Sequence, residues 1–554
     1  MTRPFTSLCM IVRDEEEYLP QCLRSAAGDA DEIIVVDTGS RDRTRDIARA
    51  FGARVLDREW TGDFAAARNY SLDQARGEWV IFLDADEELV GEDRGKLRPL
   101  LEAAGDIEGF YVNELSFVGD QPGIEAVSNL AFRIFRNRPA HRFVRPLHEQ
   151  ILPQVMRSGR IGFSELRLNH YGYLNRPAMA KDKFNRNLDI LLKEAKESSG
   201  DSFTDFNLGV EYLRRREHEL ALQRFQRSFR SLKSLEQTYA SILVKNIVLC
   251  LRILGRYDQA QKVLDDALEA YPEYTDLFFL RATVYHDAHD YDRAIEGFQR
   301  CLQMGEAPPR YFSEVGVGGY KAWLGLGLVY RDLEERSRAS HAFTEALRSN
   351  RRYTPAIPLL VEQLVLASGG SKAQAVLDRF LEPAGPETLA EAARAFAVQR
   401  HPEVGLGYAQ RARALDPQSP RLTFLHGALL LDLGRYAEAL STWAPIPGYS
   451  PWHLSGRLGS ALAASLLGDL AAASHYLETA GENPEWEKRF TVYRAFVQRL
   501  GGQAPDWVRM SAVRRQELEE VVWDLAARLL KLNEFAAFEA ALSLLAPLNL
   551  DLGR

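Results

Sequence analysis

The sequence predicts two parts of different class: an N-terminal α/β domain built on a wound parallel sheet, and an all-α solenoid of helical repeats behind it. Three observations carry this. Short apolar runs alternate with amphipathic stretches near the N-terminus, and the last run, Trp79-Val80-Ile81-Phe82-Leu83, stops abruptly in Asp84-Ala85-Asp86. From Leu208 onward a spacing of small and aromatic residues recurs along the chain. And at 554 residues the chain is too long for a single hydrophobic core.

Taken in order, Ser7–Val12 reads as a buried strand and Glu15–Ser25 as a helix with Tyr18, Leu19, Cys22 and Leu23 on one face. Ile33–Val36 is the second strand and ends at Asp37-Thr38-Gly39-Ser40. A helix begins near Thr44 and carries Ile47, Ala48 and Phe51, with Gly52 as its cap. Arg54–Leu56 is a short third strand, Ala65–Ala75 is helical, and Gly77 breaks that helix before the Asp84/Asp86 strand. Strands alternating with helices imply a parallel sheet with right-handed crossovers. Beyond Asp86, Phe110–Val118 and Val127–Phe135 alternate as a hairpin around Gly119-Asp120-Gln121-Pro122-Gly123. Between Arg133 and His148 stand five arginines and two histidines, either a solvated basic edge or a cluster facing an anion. His148-Glu149 follows a loop with Pro146, and His170-Tyr171-Gly172-Tyr173 closes a strand Leu166–Asn169.

A strand ending in Asp-x-Asp places two carboxylates at the carboxyl edge of the sheet, where open α/β sheets bind ligands. Such a pair can grip one hard cation, Mg²⁺ or Mn²⁺, whose other ligands are phosphate oxygens. Alone it reads equally well as a solvated acidic turn. Asp37 can accept hydrogen bonds from a ribose hydroxyl or a base N–H, or serve as a turn residue. Arg68 and Asn69 can meet a base edge or a diphosphate, or lie on the surface. Three such points in sequence order are poorly explained by coincidence.

The stretches Val35-Val36-Asp37-Thr38-Gly39-Ser40-Arg41-Asp42-Arg43-Thr44, Ala66-Ala67-Arg68-Asn69 and Phe82-Leu83-Asp84-Ala85-Asp86 resemble the signature of family 2 glycosyltransferases of the GT-A fold. The resemblance implies a Rossmann-like, nucleotide-sugar-binding parallel sheet. It implies that Asp37 and Arg68 bind uridine, that Asp84 and Asp86 bind the sugar diphosphate and its divalent metal, and that Val12, Glu15 and Ala85 also line the donor. Met10-Ile11-Val12-Arg13-Asp14-Glu15-Glu16 resembles a subgroup that usually reads Lys-Asn-Glu-Glu, from which Arg13 and Asp14 depart. Related enzymes carry His-Glu and His-Tyr-Gly-Tyr at the positions of the two histidine motifs. An inverting transfer needs a base within hydrogen-bond reach of the acceptor and positive charge on the leaving diphosphate. Glu149 is the candidate base and His170 the candidate third metal ligand; His148 can exchange roles with His170, and each competes with a structural histidine.

Pro177 opens a charged amphipathic helix, about Ala178–Glu197, ended by Ser198-Ser199-Gly200-Asp201. The cleanest repeat is Trp323, Leu326, Gly327, Tyr330, Ala339, Phe343, Ala346, the tetratricopeptide spacing. Leu208, Gly209, Tyr212, Ala221 and Phe225 follow it, as do Tyr285, Ala294 and Phe298; Leu251, Ala260, Ala267 and Pro272 follow it more loosely, as do Gly427, Ala439 and Trp443. Aromatics and histidines of this half therefore read as core. Gly316-Val317-Gly318-Gly319 is no nucleotide loop, because no strand is expected before it and no Gly-Lys-Ser/Thr follows. Pro383-Ala384-Gly385-Pro386 marks a break, and Trp507–Leu548 reads as terminal helices. The expected domains are 1–175 (transferase), 176–200 (linker helix), 201–360 (tetratricopeptide repeats) and 361–554 (degenerate repeats and cap).

A net charge of −8 with 26% charged residues excludes a basic nucleic-acid-binding stripe as the dominant feature. No run reaches the length of a membrane span. Cys9, Cys22, Cys250 and Cys301 each sit on an apolar pattern, as buried reduced thiols do, so the cytoplasm is the expected compartment. The combination resembles bacterial protein glycosyltransferases acting on peptides through sulfur or on flagellin through oxygen. It implies transfer of a hexose or N-acetylhexosamine from a UDP-sugar to a polypeptide, flagellin first, held by the repeat groove. A lipopolysaccharide-core or other surface-glycan transferase is the alternative, and an inactive repeat scaffold a second one.

Overall fold

The computed structural model describes residues 4–119, 122–174, 187–196, 200–381, 384–478, 484–505 and 512–545. Asp120 and Gln121 of the hairpin turn, most of the first half of the helix expected at Ala178–Glu197, Pro383, and both ends of the terminal segment Trp507–Leu548 lie outside them. By contacts the chain divides into Met1–Glu334 and Glu335–Arg554, so the division falls inside the stretch read as 201–360.

In Met1–Glu334, strands β1 (Thr6–Val12), β2 (Glu32–Asp37), β3 (Arg54–Asp57) and β4 (Trp79–Phe82) run parallel in the order β3-β2-β1-β4. Their near-continuous apolar runs are explained by burial on both faces. Leu8, Met10, Val35, Trp79 and Ile81 pack on one side with Leu19 and Leu23 of the helix Leu19–Ala26. Cys9, Ile34, Val80 and Phe82 pack on the other with Ala65 and Leu72 of the helix Phe64–Gln74. That first helix begins at Leu19 rather than Glu15, with Pro20 in its opening turn. All four cysteines are buried free thiols.

Strands β5 (Glu87–Leu89), β6 (Ile107–Gly119), β7 (Glu125–Arg136) and β8 (Arg160–Leu174) continue the sheet in the order β4-β7-β6-β8-β5, with every pair antiparallel except β6 and β8, which run parallel. The parallel sheet expected from the sequence is therefore one half of a mixed sheet. β8 is also longer than Leu166–Asn169, so His170-Tyr171-Gly172-Tyr173 lies within the strand rather than after it. β5 follows β4 after only Leu83–Asp86, yet lies four positions away in the sheet. Four flat strand spacings need about 19 Å, while the five Cα steps from Phe82 to Glu87 reach at most about 18 Å. This second half of the sheet must curl back, and register shifts along β6 give it the bend. This curl brings β5 and β8 to the carboxyl end of β4.

The helical repeats begin with Ser202–Arg214 and His218–Arg230 and continue through Ala240–Ile253, Tyr257–Ala270, Thr275–Asp287, Tyr291–Met304 and Tyr320–Asp332. Small residues admit large ones: a Cβ on Gly209 would lie 2.5 Å from the Phe225 ring, and one on Gly325 would lie 2.5 Å from that of Phe298. In Glu335–Arg554 the same relation holds between Gly427 and Trp443. A left-handed residue recurs at the turn ending alternate helices, at Arg216, Gly255, His289, Glu334, Gly369, Arg400, Gly434, Gly468, Gly502 and Asn533. Among the described residues, no helix is long and apolar enough to cross a membrane.

One expectation is overturned. A strand does precede Gly316-Val317-Gly318-Gly319: β9 (Ser313–Glu314) leaves the repeats and pairs antiparallel with Val127 and Ser128 of β7. The glycines serve packing, since a Cβ on Gly318 would lie 2.0 Å from the Gly305 carbonyl carbon. A buried ionic network holds β9. Lys245 Nζ donates to Asp276 Oδ1 at 2.9 Å, Asp276 accepts from the Glu314 amide at 2.9 Å and from Ser313 Oγ, and Lys321 pairs with Glu314 at 3.0 Å.

Removing one partner of a buried ion pair leaves the other charge uncompensated, at a cost of about 3–5 kcal/mol. Lys245→Met is therefore expected to lower the thermal midpoint of Met1–Glu334 and to speed amide exchange at Ser313–Val315. An unchanged midpoint with unchanged exchange would show that the network does not hold β9.

Candidate active site

The carboxyl ends of β1, β2 and β4 carry Val12, Asp37 and Asp84 to one edge. Val12 presents its backbone there, and its carbonyl accepts from the Thr38 amide at 3.0 Å. Asp37 is buried; Oδ1 accepts from the Gly39 and Ser40 amides at 3.0 Å each, while Oδ2 is buried without a hydrogen-bond partner. An acceptor desolvated in this way carries a cost unless a ligand donor meets it. The Glu15 amide donates to Thr44 Oγ1 at 2.7 Å, which ties the loop after β1 to the helix Thr44–Ala50. Asp14 in that loop takes a left-handed backbone at φ 55°.

Arg68 stands on the helix Phe64–Gln74, whose N-cap Asp63 accepts from the Ala66 amide at 2.9 Å. Its guanidinium lies 4.1 Å from the Phe82 ring centroid and 5.4 Å from that of Phe143. It donates to Asp84 Oδ1 at 3.0 Å and ion-pairs with Glu149. The structure thus joins Asp84, Arg68 and Glu149 in one buried bridge. Burial opposes ionisation of Asp84, but Arg68, Arg133 and His170 outweigh it and hold the carboxyl below its ordinary range.

Ala85 is buried beneath the turn, and Asp86 faces His170 across it: Oδ1 lies 3.7 Å from Nε2. Gly172 keeps the space beside them clear, because a Cβ there would lie 2.4 Å from Asp86 Oδ2 and 2.6 Å from His170 Nε2. Ser116 Oγ, which donates to Glu114 at 2.9 Å, lies 3.1 Å from His170 Nδ1. That network assigns the proton to Nδ1 and aims Nε2 at Asp86. Burial disfavours a charged ring, yet Asp86, Glu114 and Glu87 raise it to about 9, so a cation bound between Asp86 and Nε2 would displace the second proton that Nε2 otherwise carries. A carboxylate and an imidazole flanking a gap of this size fit a divalent cation that takes its other ligands from phosphate and water. Among the described residues no group of three His, Cys, Asp or Glu side chains is placed to hold a metal ion, and Asp84 is turned toward guanidinium groups.

His148 does not join that pair. It is largely buried, its Nε2 has no hydrogen-bond partner, and its backbone is left-handed at φ 51°. Arg145, three residues earlier, is left-handed too, at φ 80°. Such backbone costs of order 1–3 kcal/mol per residue and persists where surrounding contacts impose it. Burial first, and the charge of Arg214 second, push the His148 imidazole down to about 4.

The five arginines divide. Arg136, Arg138, Arg142 and Arg145 pair with Glu78, Glu108, Asp73 and Asp201, away from the Asp84 turn. Arg133 alone faces the turn, with Nε donating to Glu87 at 3.0 Å and Nη2 lying 3.6 Å from Asp84 Oδ2. Glu87, Glu114 and Ser116 are not singled out by the sequence, and Tyr173 is named there only as the last residue of the His170 motif. Glu87 and Arg133 lie 46 residues apart, so only the curl of the sheet pairs them.

The sequence model for Glycosyl transferase family 2 matches residues 7–160, and tetratricopeptide-repeat models match 252–309, 320–353 and 391–444. A tetratricopeptide repeat-containing protein of Synechococcus elongatus is 45% identical over 174 residues, which cover 30% of this chain and 42% of that protein. The chain thus spans less than half the length of that relative. The prophage-derived glycosyltransferase SunS of Bacillus subtilis is 26% identical over 291 residues, 51% of this chain and 67% of its own. The lipopolysaccharide core biosynthesis glycosyltransferase LpsC of Rhizobium meliloti is 30% identical over 157 residues, 27% of this chain and 57% of its own.

The depressed His148 has a consequence for stability. With a folded value near 4 against the usual 6.5, the unfolded chain binds the extra proton between these limits. The contribution is fully present above about 6.5 and is lost as pH falls through 4. The unfolding midpoint of the full chain is expected to drop across that window, and less so in His148→Gln. Equal slopes for the two proteins would count against a buried neutral imidazole.

Proposed function

We propose that the family 2 glycosyltransferase domain heading this chain moves a sugar from a UDP-sugar to a polypeptide, with inversion and with a divalent metal, Mn²⁺ or Mg²⁺. The observation that carries this reading is the Asp86–His170 gap beside the Asp84–Arg68–Glu149 bridge, all at the carboxyl edge of one sheet. Asp86 and His170, with Asp84 near, would hold the metal. When bound, the metal neutralises charge on the departing diphosphate.

The chain's own groups do the rest. The unpartnered Asp37 Oδ2 accepts a hydrogen bond from the uridine, and the backbone around Val12 and Glu15 walls the same pocket. Arg68 orients Glu149 and keeps Asp84 ionised. Glu149 removes the proton of the acceptor hydroxyl or thiol as it attacks the anomeric carbon from the face opposite the diphosphate. The tetratricopeptide matches support a polypeptide acceptor, flagellin being the first to try, because solenoids present extended surfaces. Similarity to LpsC supports a second reading, a surface-glycan acceptor.

Incubation with a panel of UDP-sugars and flagellin, read by intact mass, is expected to show whole-sugar additions on the protein. Addition to a lipopolysaccharide-core acceptor alone would favour the second reading. Asp86→Ala is expected to lower metal-dependent transfer by roughly 100-fold or more, and Glu149→Gln to abolish transfer while UDP binding persists. Full transfer in Glu149→Gln would remove it as the base.

A further inference from the structure

We propose that the first repeat helix, Ser202–Arg214, completes the donor site, and that Arg214 on it binds the diphosphate of the nucleotide sugar. This rests on the donor reading above and assigns a residue of the repeats to that donor.

The helix is built into the loop that carries His148 and Glu149. Leu147 shares a closed apolar cluster with Leu191 and Leu208, and Phe64 and Tyr212 pack against it. Arg145 donates to Asp201, the N-cap of the helix, at 2.9 Å and to Thr204 at 3.3 Å, and its guanidinium lies 5.0 Å from the Phe203 ring centroid. These contacts account for the left-handed backbone of Arg145 and His148. They also fix where the far end of the helix points.

Arg214 occupies that end. Its guanidinium lies 5.9 Å from the Tyr173 ring centroid, the Tyr173 ring lies 5.0 Å from that of His170, and His170 lies 3.7 Å from Asp86. One aromatic ring therefore separates Arg214 from the carboxylate–imidazole gap. Glu211, at 1% side-chain exposure, accepts from Arg214 at 3.1 Å and orients it, while Arg214 itself is 34% exposed and open to a ligand. An arginine in the last turn of a helix is also favoured by the helix dipole. The dipole does not explain why it leans over a ring of the His170 motif.

Charge balance adds to this. One divalent cation balances the diphosphate of a UDP-sugar, but the UDP that departs carries one negative charge more, and that charge needs a further cationic group. Arg68 is engaged by Asp84 and Glu149, and Arg133 by Glu87 and Glu114. Arg214 has its carboxylate partner on its own helix, one turn away, and a guanidinium can serve that partner and a phosphate together.

The test uses the full chain with Mn²⁺ and compares UDP with UMP by titration calorimetry. Arg214→Gln is expected to weaken UDP by roughly 10-fold or more, to change UMP less than about threefold, and to leave the thermal midpoint in place. Arg214→Lys is expected to restore part of the UDP affinity. Unchanged UDP affinity, or equal losses for UDP and UMP, would overturn the assignment while leaving the donor reading intact. A wild-type chain that binds no nucleoside diphosphate would overturn the donor reading and this assignment with it.

Discussion

The site depends on one buried guanidinium. Asp84 and Glu149 come from distant parts of the chain, and both lose water at the sheet edge. Two carboxylates brought together there would repel, and one would take up a proton, unless a cation stood between them. Arg68 is that cation, lodged against Phe82 and Phe143. Its neighbour Asn69 fixes the geometry: Nδ2 donates to the Phe143 carbonyl at 2.9 Å and Oδ1 accepts from the Phe143 amide at 2.8 Å. The helix Phe64–Gln74 thus holds the Glu149 loop by backbone as well as by charge. Arg–Asn in sequence is one device, in which the arginine joins the charges and the asparagine sets the loop.

A second guanidinium repeats the solution on the other half of the sheet. Arg133 projects from β7 among Glu87, Glu114 and Asp84, which come from β5, β6 and the end of β4. Without it, the curl that returns β5 to β4 would bring Glu87 and Glu114 beside Asp84 with only Arg68 and His170 to offset them. With it, the curl is stabilised where β8 delivers His170. Sheet curvature and site electrostatics are therefore one constraint.

What was legible in the sequence follows from the range of the interactions. β1, β2 and β4 announce themselves because burial on both faces demands unbroken apolar runs, and Asp37, Arg68 and Asp84 follow at their ends. Gly209 and Phe225 reveal the repeat because their contact lies between adjacent helices. β5 and β9 are too short to leave a pattern, and only partners remote in sequence make them strands. Arg133 was visible only as one of five arginines, since its role depends on carboxylates assembled by the fold. His148 and His170 looked alike in sequence. The structure separates them, with His170 set among carboxylates and His148 beneath an arginine.

The joint between sheet and repeats bears on how the proposed function would work. A transferase and a binding array joined by a flexible tether gain only local concentration, which is millimolar at best and falls with tether length. Here a strand of the repeats is hydrogen-bonded into the sheet through β7, and Leu147 of the Glu149 loop is packed on Leu208 of the first repeat helix. The helices near these joints therefore hold a fixed register to the Asp86–His170 gap. A fixed register orients a bound chain as well as concentrating it, and orientation is the larger contribution to a bimolecular barrier. An acceptor bound near the joints would be presented in one direction. One bound farther along the array would have to reach the site by its own extended length, so the repeats nearest the sheet are where acceptor choice should reside.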